Sequence, residues 1–218
     1  MNHVLEIDSI QLQFNERKIL SNIYLRCETG QITGLLGKNG QGKSCLMKAI
    51  YGSLHCEKSI RFDRISIVES FKRPDLIVYL PQSNFIPKSL SLSRVFQDFD
   101  LEYSAFQNRF LEFAKRQNDS VSSLSGGERR LLELYIIAKS KSLFALLDEP
   151  FTQLNPLQIE KAKQFLKEER GCKGMLITDH MYRHVIDICD TLYVLTNGQT
   201  YLAKSIADIE ALGYARLQ

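Results

Sequence analysis

Gly37, Gly42, Lys43 and Ser44 stand in "GLLGKNGQGKS", residues 34–44, at the spacing G-x-x-x-x-G-K-[ST]. Backbone amides of such a loop turn inward on phosphate oxygens, and the helix that follows adds its positive N-terminal end. Lys43 reaches the β- and γ-phosphates and the Ser44 hydroxyl ligates Mg²⁺. Lys38, Asn39, Gly40 and Gln41 fall inside the same cradle and Cys45 directly after it. A second stretch, "LFALLDEP" at 143–150, ends an apolar run in two carboxylates. Asp148 is placed to hold the same Mg²⁺, which leaves Glu149 to polarise a water for attack on a γ-phosphate. A third, "LSGGERRLLELYIIA" at 124–138, opens on Ser125, Gly126 and Gly127 and continues as a helix, which makes a second anion site at a helix start. A single nucleotide has no need of two phosphate cradles. The economical reading is that the second closes over a nucleotide held by another copy.

The elements that must position these groups are legible as short apolar runs at Val4–Ile7, Ile32–Leu36, Ile65–Val68, Ile77–Leu80, Leu143–Leu147, Met175–Thr178 and Leu192–Leu195. Several are apolar throughout rather than alternating, as strands buried on both faces are. Helical stretches separate many of them. The segment from Pro156 to Arg170 has Asn155 at the N-cap, Pro156 at the first turn and Gly171 just past its end. Such alternation predicts an α/β fold with a largely parallel sheet. Between Ser83 and Ser123 no strand is expected. There Leu101, Ala105, Phe106, Phe110, Phe113 and Ala114 recur at helical intervals over 101–115, which predicts a short helical insertion. Phe85 and Ile86 read as exposed apolar residues in a loop, and so as a docking surface. The Arg129-Arg130 pair reads as part of a solvated helix face.

The 218 residues and their 44% apolar content suit one ordinary globular domain. A net charge of +3 without clustering gives no footprint for nucleic acid. Five scattered cysteines lack metal-ligand spacing and read as reduced thiols. The opening residues carry neither a basic nor an apolar leader, and no run approaches bilayer length. A chain of this kind is expected in the cytoplasm, with any membrane spanning left to other subunits.

With all three motifs in this order, the sequence resembles the ATP-binding cassette (ABC) ATPases from about Leu5 to Gly198. The resemblance implies a P-loop NTPase fold with an antiparallel N-terminal β-subdomain and a helical subdomain at about 83–125 inserted in a single domain. It makes Leu124–Glu128 the signature motif that completes the partner's ATP site, and Glu149 the catalytic base. Gln82 in "YLPQ" becomes the Q-loop glutamine, which touches Mg²⁺, and His180 in "LITDH" the switch histidine, which contacts the γ-phosphate. Phe14 falls where the family places an adenine-stacking aromatic, against the alternative that it is a core residue of an early strand. The implied cofactors are ATP and Mg²⁺. The implied partners are a second ATPase subunit, as a homodimer, and transmembrane permease subunits, with the chain peripheral on the inner face of the membrane. "LLDEPF" and "LITDH" are similar to the compact ATPases of lipopolysaccharide export and branched-chain amino acid import. Departures are Asn155 for the usual Asp after "LLDEP", Cys45 for a frequent Thr and Lys38 for a frequent Pro. The alternative is a soluble ABC ATPase of an assembly machine, such as iron–sulfur cluster assembly. DNA-repair ABC ATPases fit poorly, because the chain lacks their long coiled-coil arms.

Overall fold

A computed structural model describes residues 2–214. In chain order its elements are β1 (Val4–Phe14), β2 (Arg17–Glu28), β3 (Ile32–Leu36), α1 (Lys43–Tyr51), β4 (Glu57–Phe62), β5 (Ile65–Ser66), β6 (Ile77–Leu80), α2 (Leu92–Asp98), α3 (Tyr103–Arg109) and α4 (Gly126–Lys139). They continue with β7 (Phe144–Asp148), α5 (Pro156–Glu169), β8 (Gly174–Thr178), α6 (Tyr182–Ile186), β9 (Thr191–Thr196), β10 (Gln199–Ala203) and α7 (Ile206–Ala211). Six strands form one sheet in the order β10-β9-β3-β8-β7-β6, parallel except for β10. The other four form an antiparallel sheet, β2-β1-β4-β5.

The continuous apolar strands are buried on both faces because each face packs on a different layer. Leu35, Phe144, Leu146 and Leu176 point toward α1 and the antiparallel sheet. Leu36, Leu80, Leu147 and Ile177 point the other way, into a core shared with α4, α5 and the helices after Gln82. α1 therefore lies between the two sheets, fixed on both sides. It starts where Gly42 takes φ 98° and stops where Gly52 takes φ 92°, both left-handed. Asn155 caps α5 as the sequence predicts: its side chain accepts from the Gln158 amide while Gln158 returns a bond to the Asn155 amide.

Three sequence expectations are corrected. The 101–115 stretch is no single helix: α3 ends at Arg109 and a 3₁₀ turn over Leu111–Phe113 follows. Phe106, Phe110 and Phe113 are fully buried while Ala105 and Ala114 are exposed. The three rings still gather into one aromatic cluster with Tyr135 across the bend, as their i, i+4, i+7 spacing brings them to one side. Ile65–Val68 is a strand only over its first two residues. Ile86 is 2% exposed and belongs to the larger core, and Phe85 packs against that core with its ring edge-on to Phe99. The pair is therefore no free docking surface. Ile86→Ser is expected to cost about 3 kcal/mol, from lost burial and an added hydroxyl. A urea midpoint unchanged from wild type would show Ile86 to be solvent-facing after all.

Candidate functional site

The C-terminal ends of parallel strands are where an α/β sheet offers its backbone to ligands. Here the loops after β3, β6, β7 and β8 meet at that edge. They enclose a cavity of about 630 Å³ lined by Asn39, Gly40, Gly42, Lys43, Ser44, Cys45, Gln82, Glu149 and His180, with Phe14, Arg17 and Ile19 at one side. Gly37 lies beneath it, and a β-carbon there would come within 2.8 Å of the Leu195 carbonyl, so only glycine lets the loop lie this close to β9. Lys43 Nζ donates to the carbonyls of Gly37 (2.6 Å) and Lys38 (3.2 Å), folded into its own loop. Burial works against its charge, and Glu149, Asp148 and Asp179 partly restore it. Phe14 is 47% exposed and faces the cavity rather than the core. Two loop residues point elsewhere: Lys38 and Gln41 line a small separate recess with Thr196 and Tyr214.

Asp148, 1% exposed at the end of β7, accepts from Ser44 Oγ on one oxygen (3.2 Å) and from the Tyr79 phenol on the other (3.0 Å). Burial pushes its pKa above the usual carboxylate range, against those two bonds. The Ser44 hydroxyl lines the cavity and the buried Asp148 carboxylate bonds to it from behind, two hard oxygen donors that suit Mg²⁺, which takes few protein ligands and fills its octahedron with water and phosphate. Among the described residues no cluster of three or more His, Cys, Asp or Glu forms a self-sufficient cage.

Glu149 holds φ 51°, a left-handed conformation that turns the chain between β7 and Pro150. Its Oε2 accepts from Gln82 Nε2 (2.9 Å) and Thr152 Oγ1 (3.2 Å), and His180 Nδ1 lies 3.5 Å away. Asp179, fully buried, accepts from the Phe151 and Met181 amides and lies 3.3 Å from the same His180 nitrogen. It ties the β8 end to the loop carrying Glu149. Sequence reading passed over Asp179, and its one signal was an acidic residue directly before His180.

Ser125, Gly126, Gly127 and Glu128 lie outside this cavity. Ser125 and Glu128 line another recess of about 460 Å³ with Leu111, Asn155 and Leu157. Ser125 caps α4 through the Glu128 amide, and the Glu128 carboxylate accepts from the Ser125 amide (2.8 Å) and Arg116 (2.5 Å). The Arg116 guanidinium and these backbone bonds hold Glu128 below the usual carboxylate range despite its partial burial. With its carboxylate committed to Arg116, Glu128 serves the cap, and Gly126 and Gly127 supply the first two amides of α4. A β-carbon on Gly127 would meet the Gln153 carbonyl at 2.8 Å, so the backbone before α5 requires glycine there, whereas one on Gly126 would meet only the movable end of the Gln153 side chain.

Arg130 overturns the solvated reading of the basic pair. It is 2% exposed, and its guanidinium donates to the carbonyls of Pro81 (2.7 Å), Asp148 (2.6 Å) and Glu149 (2.9 Å). Arg129 donates to the Ile86 carbonyl. Arg130 thus stitches the ends of β6 and β7 together beside the carboxylates.

A sheet, cradle, buried aspartate and separate serine–glycine helix start of this kind define a nucleotide-binding cassette. Residues 20–152 match the family described as ABC transporter. The lipopolysaccharide export system ATP-binding protein LptB of Escherichia coli is 33% identical over 202 residues, covering 85% of this chain and 83% of that one. Its counterpart in Acidithiobacillus ferridurans is 27% identical over 224 residues, covering 96% and 93%. Among solved structures, an ATP-binding subunit of an ABC transporter superposes with TM-score 0.81 at 19% identity, over 97% of this chain and 94% of the other. A nucleotide-free cassette gives 0.76 at 21%, over 96% and 94%. The chain belongs to the ABC transporter family of ATP-binding proteins, whose members bind and hydrolyse ATP.

Proposed function

We propose that the chain is the ATP-hydrolysing subunit of a transporter, and that two copies close face to face on two ATP molecules so as to drive separate membrane subunits from the cytoplasmic side. One observation carries this reading: the chain has two glycine-bearing helix starts, and the one at Ser125–Gly127 does not open into the cavity that holds Lys43. A second copy is the simplest body to bring them together. That the relatives are named as parts of a lipopolysaccharide exporter supports a transporter over an assembly machine.

In this reading Phe14 stacks on adenine, with Arg17 beside it. The phosphate loop and Lys43 hold the β- and γ-phosphates. Ser44, Asp148 and Gln82 would hold Mg²⁺, which when bound supplies positive charge to the phosphate oxygens. Glu149 accepts a proton from water as the water oxygen bonds to the γ-phosphorus and the bond to the β–γ bridging oxygen breaks. His180 orients that water, and Ser125–Gly127 of the partner donate to the γ-phosphate from the far side. Among the described residues no helix is long and apolar enough to cross a membrane, so this chain's described part supplies the ATP site and its partners the passage.

The test is turnover per chain against protein concentration at saturating Mg²⁺ATP. It should rise several-fold from the dilute to the concentrated limit and then level off, in step with dimer formed by sedimentation. Constant turnover per chain across that range would overturn the paired mechanism.

A further inference from the structure

Glu133 is the one charge in the apolar run Leu131–Ala138 of α4, and it is fully buried. A carboxylate removed from water at that depth persists only when its oxygens are fully engaged. Here they are. Oε1 accepts from the backbone amides of Phe85 (3.0 Å) and Ile86 (3.2 Å), and Oε2 accepts from Asn84 Nδ2 (2.9 Å). Arg129 Nε lies 3.4 Å away and Arg130 Nη1 3.9 Å away. All three hydrogen-bond donors belong to the segment just after Gln82.

The same helix grips the other side of Gln82, through the Arg130 bond to the Pro81 carbonyl, and Arg129 takes the Ile86 carbonyl as well. Gln82 and Ser83 are therefore a two-residue span whose ends are both fastened to α4. The N-terminus of α4 is the Ser125–Gly127 cradle, and Gln82 in turn donates to Glu149. We propose that Glu133 is a positioning residue that fixes Gln82, and through it Glu149, relative to the signature end of α4, so that a shift of the 84–86 segment displaces both halves of the ATP site together. This rests on the catalytic reading of Glu149 given above.

The contact is a donor–acceptor pair that can be inverted. Asn84→Asp sets a carboxylate against the Glu133 carboxylate and should push the segment off α4. Glu133→Gln alone keeps an oxygen for the two amides, and Asn84 can turn its amide to accept from the new Nε2. The double variant Asn84→Asp/Glu133→Gln restores a donor facing an acceptor with the roles exchanged. In the full chain, kcat for ATP hydrolysis in Asn84→Asp should fall about tenfold, as expected of a small misplacement at the reacting centre. The affinity of the isolated chain for a fluorescent ATP analogue should stay within about twofold, because the phosphate loop is untouched. Amide hydrogen exchange at Phe85 and Ile86 should quicken in the same variant. Glu133→Gln should stay near wild type, and the double variant should recover both kcat and slow exchange.

A kcat within twofold of wild type in Asn84→Asp, with exchange at 85–86 quickened, would overturn the proposal. So would a failure of Glu133→Gln to rescue, or a parallel loss of nucleotide affinity, which would mark a merely structural contact. Should Asn84→Asp fail to fold, Asn84→Ala, which removes only the Oε2 partner, is measured in its place. It should show the same split between kcat and affinity, and loss of neither would overturn the proposal. A wild-type chain with no ATP turnover at all would count against the proposed function instead.

Discussion

Glu149→Gln is expected to leave a chain that binds ATP but releases phosphate at least about 10²-fold more slowly, the usual weight of a general base. The variant is conservative in every contact that the structure shows. A glutamine at 149 offers an oxygen to Gln82 Nε2 and Thr152 Oγ1, keeps a polar group beside His180 and tolerates the φ of 51° no worse than glutamate does. What it loses is the capacity to take the proton of the attacking water. In the proposed mechanism closure of two copies depends on binding and not on that proton, so the ATP-bound dimer should accumulate and be visible by sedimentation in Mg²⁺ATP. Wild-type phosphate release from the purified variant would remove Glu149 from the role of base, and would point to the other buried carboxylates at this edge.

The larger effect is expected from mixing two dead chains. Lys43→Ala removes the cradle lysine and Ser125→Arg blocks the second cradle, so homodimers of either variant have two broken sites. When the two are mixed, about half of the dimers are hybrids in which one site carries both lesions and the other neither, and activity should climb from near zero to roughly a quarter of wild type. A chain bearing both substitutions behaves in the opposite way. Mixed with wild type, it spoils both sites of every hybrid and should strip the wild-type chains of about half their turnover. Ser125 lies outside the cavity of Lys43, so no arrangement within one chain gives this pattern. Single variants that turn over ATP normally as monomers would show the serine–glycine helix start to have another use.

The phosphate loop and Asp148 were legible because each is a short word whose chemistry depends on its immediate neighbours, whereas Gln82 and His180, ordinary residues taken alone, came only from the family resemblance. β2 was missed for a different reason. Its residues alternate, with Leu20, Ile23, Leu25 and Cys27 inward and polar groups between, whereas the runs that stood out were apolar throughout. Arg130 and Glu133 were illegible because charge normally means solvent, and nothing local tells a solvated arginine from one that faces three carbonyls at the end of two strands. For Glu133 the one hint was its setting, a charge inside a run of leucine, isoleucine and tyrosine, whereas Arg130 stands just before that run behind Glu128 and Arg129. Ile86 shows the converse error: an apolar residue without regular structure is still core when a neighbouring helix carboxylate holds its amide.

Arg130 bears on whether the signature helix can be treated as a replaceable part. In engineering, a segment such as Gly126–Lys139 invites transplantation between cassettes, since its recognisable word is at its exposed end. Yet the Arg130 guanidinium closes three carbonyls at the ends of two different strands, a planar fork that lysine, with one ammonium, does not reproduce. A graft would therefore have to carry with it the turn after β6 and the residues around Glu149, or accept frayed strand ends beside the carboxylates. The part to be moved is the whole corner of the sheet, the helix together with the ends of β6 and β7 that its arginine joins.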